Sequence, residues 1–123
     1  MSHNSSYFRD EREGRIALLK ATIKVLKAIE GGTIMADMRA GSVRGLTLAE
    51  CEPALNHLAQ EGKIRLDIDR DPAGAQKLRA IEIVDRRFAE PLLRIDDAND
   101  SEVRECFNRM YSMNDLGNDI KLR

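Results

Sequence analysis

Apolar side chains recur at helical spacing between Asp10 and Glu30, where two adjoining apolar stripes cover most of the helix surface. Two glycines at positions 31 and 32 end this periodicity. We therefore predict a long central helix packed on two sides, preceded by a flexible segment at residues 1–8. The narrow outer face is formed by Ala17, Lys20, Ala21, Lys24 and Lys27.

A second, shorter helix is predicted between Thr33 and Ala40. Thr33 is a residue type that caps helix N-termini, because its hydroxyl can accept a bond from a backbone N–H of the first turn. The two glycines of the following segment, "AGSVRG", break the helical pattern. The inward positions of this helix are Ile34, Met35 and Met38.

A third helix follows the glycine-rich break. Thr47 and Glu50 have the spacing of a capping box. Pro53 is tolerated only near a helix start, so we expect a lead-in turn and a regular helix from about Glu50 that ends before Gly62. Its apolar stripe consists of Leu48, Cys51, Leu55 and Leu58.

The apolar period changes from 3.6 to 2 after Gly62, which indicates a change from helix to strand. Ile64, Leu66 and Ile68 alternate with charged residues, as in a half-buried antiparallel strand. A loop containing Asp71-Pro72 and Gly74 leads to a second strand at 77–84. The sequence therefore predicts a β-hairpin with a loop longer than a tight turn, in which Ile64, Leu66 and Ile68 face the core.

The pattern is less regular beyond Asp85. A short apolar cluster is followed by a polar, acidic break, and Ser101 can cap a final helix. We predict that residues 85–123 form a C-terminal helical extension. Its apolar stripe either joins the core or forms a dimer interface. The cluster consists of Phe88, Leu92, Leu93 and Ile95, and the stripe of Val103, Phe107, Met110 and Tyr111.

The composition favours one domain with an aliphatic core. Of 123 residues, 42% are hydrophobic but only 4% are aromatic, and the fold class is expected to be α+β, mainly α. The net charge of -1 provides no global field that would attract nucleic acid or anionic lipid. Any nucleic-acid contact therefore requires a local basic patch.

Several classes of protein are not expected from this sequence. The N-terminus has no apolar core of a secretory signal, and no apolar run has the length of a membrane span, so we expect a cytoplasmic protein. Cys51 and Cys106 are interpreted as ordinary thiols. With only His3 and His57 and no catalytic motif, we expect no metal site, no cofactor and no enzymatic activity.

The order of these elements resembles the winged helix-turn-helix family. The resemblance is carried by "TIMADMRAG", by "LTLAECEPALNHLAQEGKI" and by the hairpin that follows. It implies three helices plus a β-hairpin wing over residues 9–84, with a third helix (50–61) that enters the DNA major groove. The connection from Ala40 to Thr47 is longer and richer in glycine than the family's usual turn.

The resemblance also implies a set of DNA-contacting residues. It implies base contacts by Asn56, His57 and Gln60, which lie on the outward face of the third helix beside Pro53. The implied function is that of a transcriptional regulator or DNA accessory factor acting on double-stranded DNA. We also expect a homodimer, in which association through the first and last helices compensates for weak contacts at a single site. The implied phosphate contacts are Arg39, Arg44, Lys63, Arg65, Arg70, Lys77 and Arg79, with Lys20, Lys24 and Lys27 as a second patch.

A second interpretation is a winged-helix module that binds a protein partner and no DNA. Between positions 33 and 84 the sequence has seven basic and eight acidic residues, a net charge of -1. Tight DNA binders usually concentrate positive charge on the docking face, because phosphate neutralisation supplies much of their affinity. The charge pattern therefore suits a protein partner at least as well as DNA.

Overall fold

The computed structural model describes residues 2–110, with side chains described from residue 11 onward. This part of the chain is α+β and mostly helical, with two small antiparallel hairpins. The elements are α1 (Ser2–Glu30), α2 (Ile34–Ala40), β1 (Ser42–Val43), β2 (Leu46–Thr47), α3 (Leu48–Gln60), β3 (Ile64–Arg70), β4 (Gln76–Ile83), α4 (Arg86–Leu93) and α5 (residues 100–110).

The chain divides into two compact units. The central unit is Ala21–Arg94, and the terminal unit combines Met1–Lys20 with Ile95–Arg123. The prediction had placed the main domain at residues 9–84, whereas the central unit also contains α4 and excludes the first two thirds of α1.

Helix α1 begins earlier than predicted, at Ser2 instead of Asp10, and ends at Glu30 before the two glycines. Within the central unit, Ile23, Val25 and Leu26 are fully buried, in agreement with a helix packed on two sides. Ala21, assigned to the outer face, is buried instead. The helical period alone does not reveal this burial.

Helix α2 has the predicted bounds but not the predicted cap. Thr33 makes no side-chain cap hydrogen bond; its hydroxyl donates to the Asp37 carboxylate over 3.0 Å instead. Ile34 is buried, whereas Met35 and Met38 are half-buried. The helix is therefore held mainly by one apolar side chain at its start.

A tight hairpin, β1–β2, fills the glycine-rich break and was not predicted. Val43 pairs with Leu46, which leaves Arg44 and Gly45 as a two-residue loop. Both loop residues have positive φ, 49° and 88°, as a type I′ turn requires. Strands of two residues are too short to show an alternating pattern, so the sequence indicated only a break in the helical pattern.

Helix α3 starts at Leu48, two residues before the predicted start. The capping box is present: the Thr47 side chain accepts from the Glu50 N–H, and the Glu50 carboxylate accepts from the Thr47 N–H. Pro53 thus lies inside the helix and leaves the Ala49 carbonyl without its usual partner. Ala49 is exposed, so water can solvate that carbonyl. Gly62 leaves the helix at φ 73°, as predicted.

The second hairpin, β3–β4, is antiparallel, but only its base belongs to the core. Ile64 and Ile81 are buried and Leu66 is half-buried. Ile68, predicted to be a core residue, is 46% exposed. The pairing changes at this point, from Asp67 opposite Ala80 to Ile68 opposite Leu78, with Arg79 as an extra residue on β4. Ile68 therefore lies beyond the end of the core.

Helix α4 was predicted only as an apolar cluster followed by a break. Asp85 caps it, because its carboxylate accepts from the Phe88 N–H over 3.1 Å. Ala89 and Leu92 are buried. Pro91 lies inside this helix, which made the segment look irregular in the sequence.

The terminal unit contains α5. Asn99 caps it, since its side chain accepts from the Glu102 N–H, so the predicted cap at Ser101 is wrong. Val103 and Phe107 are buried within this chain and are thus core residues, while Met110 is 41% exposed. Tyr111 lies outside the described residues. Within the unit, Arg104 makes two hydrogen bonds to Glu13, at 2.7 and 2.9 Å.

Candidate functional site

The outward face of α3 is entirely free of large apolar side chains. Four residues of α3 are buried on one side of the helix: Cys51, Ala54, Leu55 and Leu58. At 3.6 residues per turn, the opposite face contains Pro53, Asn56, His57 and Gln60, and all four are exposed. The structure therefore places the three predicted base-contacting residues together on one accessible surface.

The fold makes no use of the polar groups on this face. Within the described part of the chain, the side chains of Asn56, His57 and Gln60 make no hydrogen bond. Each of the two amides offers two donors and one acceptor, and the imidazole adds a donor and an acceptor. The surface we call the α3 face (Pro53, Asn56, His57 and Gln60) can thus form several directed hydrogen bonds with a ligand.

Two of the predicted phosphate-binding cations already have partners inside the central unit. The Lys63 ammonium lies 3.1 Å from the Asp85 carboxylate and 4.9 Å from the centre of the Phe88 ring. Arg65 forms an ion pair with Glu82 across the hairpin. A phosphate would therefore have to share these cations with, or displace, a carboxylate.

Asp85 is the centre of this arrangement at the base of the hairpin. The Phe88 backbone N–H, and then the Lys63 ammonium, stabilise the charged carboxylate and hold the pKa of Asp85 below its usual value. The Lys63 carbonyl accepts from the Val84 and Asp85 N–H groups, at 3.0 and 3.2 Å. Sequence reasoning missed this role, although an aspartate just before a helical segment is a typical capping pattern.

The remaining predicted cations of the hairpin have no such partner. Arg70, Lys77 and Arg79 are exposed, and none of them makes an ion pair or a side-chain hydrogen bond to a described residue. Lys77 lies directly opposite Asp69 in the sheet register, and Arg79 is the bulged residue. These three cations are available to an external anion.

The predicted cations outside the hairpin differ from one another. Arg39, at the end of α2, is exposed and has no partner among the described residues. Arg44 is exposed in the turn of β1–β2, and its carbonyl accepts a 2.8 Å hydrogen bond from Lys24. Lys24 thus helps to hold that turn. Lys20, Lys24 and Lys27 are each half-buried, which limits them as a second patch.

A shallow groove of about 290 Å³ lies in the central unit, lined by Ile29, Glu30, Ile81, Glu82, Ile83 and Arg86. The Arg86 guanidinium contacts Glu30 at 2.6 Å and Glu90 at 2.9 Å, which raises the pKa of Arg86. The guanidinium group of Arg86 is therefore already paired with carboxylates of the central unit.

The described residues contain no cluster of three potential metal ligands. Cys51 and Cys106 are buried free thiols, and burial raises the pKa of both. No helix in this range has the length and apolar character needed to cross a bilayer.

The polar α3 face and the unpartnered cations are thus the features of the central unit that are equipped to bind a ligand and are not used by the fold. Comparison of the chain with protein-family models, with curated proteins and with solved structures finds no match.

Proposed function

We propose that residues 21–94 act as a winged-helix unit that binds double-stranded DNA, with α3 in the major groove and the β3–β4 hairpin as the wing. The observation that carries this proposal is the α3 face, where Asn56, His57 and Gln60 are exposed and make no hydrogen bond within the described chain. Side-chain amides are suited to the adenine edge, and a histidine can donate to guanine or to a phosphate.

The cations without partners provide the phosphate contacts in this proposal. Arg39, Arg70, Lys77 and Arg79 are exposed, so neutralising a phosphate does not cost them an internal ion pair. The unit has twelve basic and eleven acidic residues, a net charge of +1. Binding by so few cations is expected to be moderate and strongly weakened by salt. The protein would act as a transcriptional regulator or accessory factor, without catalysis or a cofactor.

The experiment is a mobility-shift or anisotropy titration with a pool of random duplex DNA at low and rising salt. We expect binding near 50 mM salt and a loss of affinity that is linear in the logarithm of the salt concentration, with a slope of about -0.9 per neutralised phosphate. A complete absence of binding at low salt would refute the proposal, because the phosphate contribution is largest there.

Variants separate base contacts from phosphate contacts. Replacing Asn56 and His57 by Ala should weaken the selection of particular sequences from the pool and leave the salt slope unchanged. Replacing Arg39 by Gln should lower the slope by about 1 and weaken binding to all sequences alike. Glu105→Ala, at an exposed position of α5, serves as the control and should bind as the wild type does.

A protein partner is the second candidate, and two observations favour it. Lys63 and Arg65 are already paired with carboxylates. Three large apolar side chains of the central unit are also exposed: Leu48 at 43%, Ile68 at 46% and Val84 at 48%. A photo-crosslinking residue at Gln60 distinguishes the candidates, since DNA binding predicts nucleic-acid adducts and this alternative predicts one defined protein.

A further inference from the structure

The turn between β1 and β2 holds an arginine in a backbone conformation that disfavours it. Val43 pairs directly with Leu46, so the loop consists of Arg44 at φ 49° and Gly45 at φ 88°. The left-handed conformation brings the Cβ atom close to a carbonyl oxygen, and type I′ turns therefore favour asparagine or glycine at both positions. Within the described part of the chain, Arg44 is the only residue other than glycine with a positive φ.

The surrounding structure holds this turn at its tip and along its strands. The Lys24 ammonium of α1 donates a hydrogen bond to the Arg44 carbonyl over 2.8 Å. Val43 is fully buried, which anchors β1. Strand β2 continues directly into α3, because its last residue, Thr47, is also the N-cap of that helix. The fold therefore imposes the strained conformation on Arg44.

Lys24 also lies near the capping box of α3. The backbone N–H and the hydroxyl of Thr47, and then the charge of Lys24, hold the pKa of Glu50 below its usual value. One side chain of α1 thus supports both the tip of the turn and the N-terminus of α3. The turn is consequently fixed in position beside the start of that helix.

The side chain of Arg44 is the part of the residue that the strain points to. Asparagine or glycine adopts the same turn with less strain, so the backbone does not require an arginine. Burial does not require one either, because Arg44 is exposed. Strained residues persist where the surrounding structure imposes their conformation, and they cluster at sites of binding and catalysis. The guanidinium adds a permanent positive charge and five N–H donors.

The position of the turn suits a contact with a DNA phosphate. Arg44 precedes the first residue of α3 by four positions, and β3 begins four positions after its last residue. Cation-bearing segments therefore adjoin α3 at both ends. A helix of 13 residues is about 20 Å long, whereas the major groove is about 12 Å wide. With α3 in the groove, the ends of the helix lie beside the phosphates that border it.

We infer that Arg44 binds a DNA phosphate at the N-terminal end of α3, and that the strained turn holds it ready for this contact. The inference rests on the proposed binding of duplex DNA by the α3 face. A guanidinium can form two parallel hydrogen bonds with a phosphate. Because the backbone of Arg44 is already fixed, less conformational freedom is lost when the contact forms. The strain lowers stability and favours binding.

Replacing Arg44 by Asn tests this inference, because stability and binding should change in opposite directions. Asparagine tolerates the left-handed conformation, so Arg44→Asn should raise the Tm by about 4 °C. The same variant lacks the charge. It should therefore weaken duplex binding about tenfold and lower the salt slope by about 1. Thermal unfolding of the full chain and anisotropy titrations with random duplex DNA measure the two effects.

Two further variants separate the charge from the strain. Arg44→Lys keeps both, so its Tm and salt slope should remain those of the wild type. Arg44→Ala keeps the strain and loses the charge, so the Tm should stay unchanged while the salt slope falls by about 1. Arg94→Gln, at an exposed arginine that follows α4, is the matched control and should change neither quantity.

The outcomes distinguish this inference from the proposed function. Wild type that binds duplex DNA, together with Arg44→Asn that binds equally tightly at the same salt slope, would overturn the role of Arg44 and leave DNA binding intact. An Arg44→Asn variant that melts at or below the wild-type Tm would overturn the strained turn. Wild type that binds no duplex at low salt would overturn both proposals, and this result needs no variant.

Discussion

The two halves of the β3–β4 hairpin have the same alternating sequence pattern but different surroundings. In the proximal half (residues 63–67 and 80–85), Ile64 and Ile81 are buried, Arg65 is paired with Glu82 and Lys63 with Asp85. In the distal half (residues 68–70 and 76–78), Ile68 is 46% exposed and the cations have no partner among the described residues. The bulge at Arg79 lies between the halves.

This difference divides the hairpin into a half that stabilises the core and a half that is exposed to solvent. The proximal half is part of the core, and its charged groups are engaged with neighbouring elements through Lys63, Asp85 and Phe88. The distal half contributes little to the core, so its side chains remain available for a ligand. Substitutions in the proximal half should therefore change stability, and those in the distal half should change binding.

The largest expected effect distinguishes the two isoleucines. Ile64→Ala should lower the free energy of unfolding by about 2–4 kcal/mol, because Ile64 is only 3% exposed and its truncation leaves a cavity. Ile68→Ala should lower it by less than about 0.5 kcal/mol. Urea unfolding followed by circular dichroism measures both values in dilute protein. Similar losses for both would contradict the division into two halves.

A smaller effect on stability is expected when Lys63 of the proximal half and Lys77 of the distal half are replaced. Lys63→Gln should cost about 1 kcal/mol, since it removes an ion pair and a cation–π contact from a half-buried site. Lys77→Gln should leave stability unchanged and lower the salt slope of DNA binding by about 1. Unfolding curves and duplex titrations of the two variants provide the comparison. A Lys77 variant that is destabilised as much as the Lys63 variant would indicate that the distal half also supports the fold.

The smallest expected effect is the pH dependence of stability that Asp85 contributes in the proximal half. The folded state holds the pKa of Asp85 below its usual value, so the charged carboxylate stabilises the fold above the unfolded pKa. This contribution should be lost as pH falls through the lowered pKa. Urea midpoints measured from neutral to acidic pH should thus fall less steeply for Asp85→Asn than for wild type. Lys77→Gln is the control, and its midpoints should fall as steeply as those of wild type.

The helices with a clear period were predictable, because the signals that define them are local. The capping box of Thr47 and Glu50 and the positive φ of Gly62 depend on residues within one or two turns. The β1–β2 turn and α4 were missed for a different reason. A two-residue strand shows no period, and a proline such as Pro91 argues against a helix when only the sequence is considered.

The composition of the candidate site was likewise visible in the sequence, since the buried stripe of α3 leaves Asn56, His57 and Gln60 on the opposite face. Whether each cation forms an ion pair was not visible in the sequence. The ion pair between Lys63 and Asp85 joins residues 22 positions apart, and only the folded chain brings them together. No local pattern distinguishes such a paired lysine from the unpartnered Lys77.

The sequence by itself therefore determined the helical periods, the alternation of β3 and the polar face of α3, because these follow from backbone geometry over a few residues. Only the tertiary structure decided where the core ends along the hairpin. Ile64 and Ile68 are indistinguishable by pattern, yet one is buried and the other exposed. Burial depends on whether another element covers a side chain, and that requires contacts between distant parts of the chain.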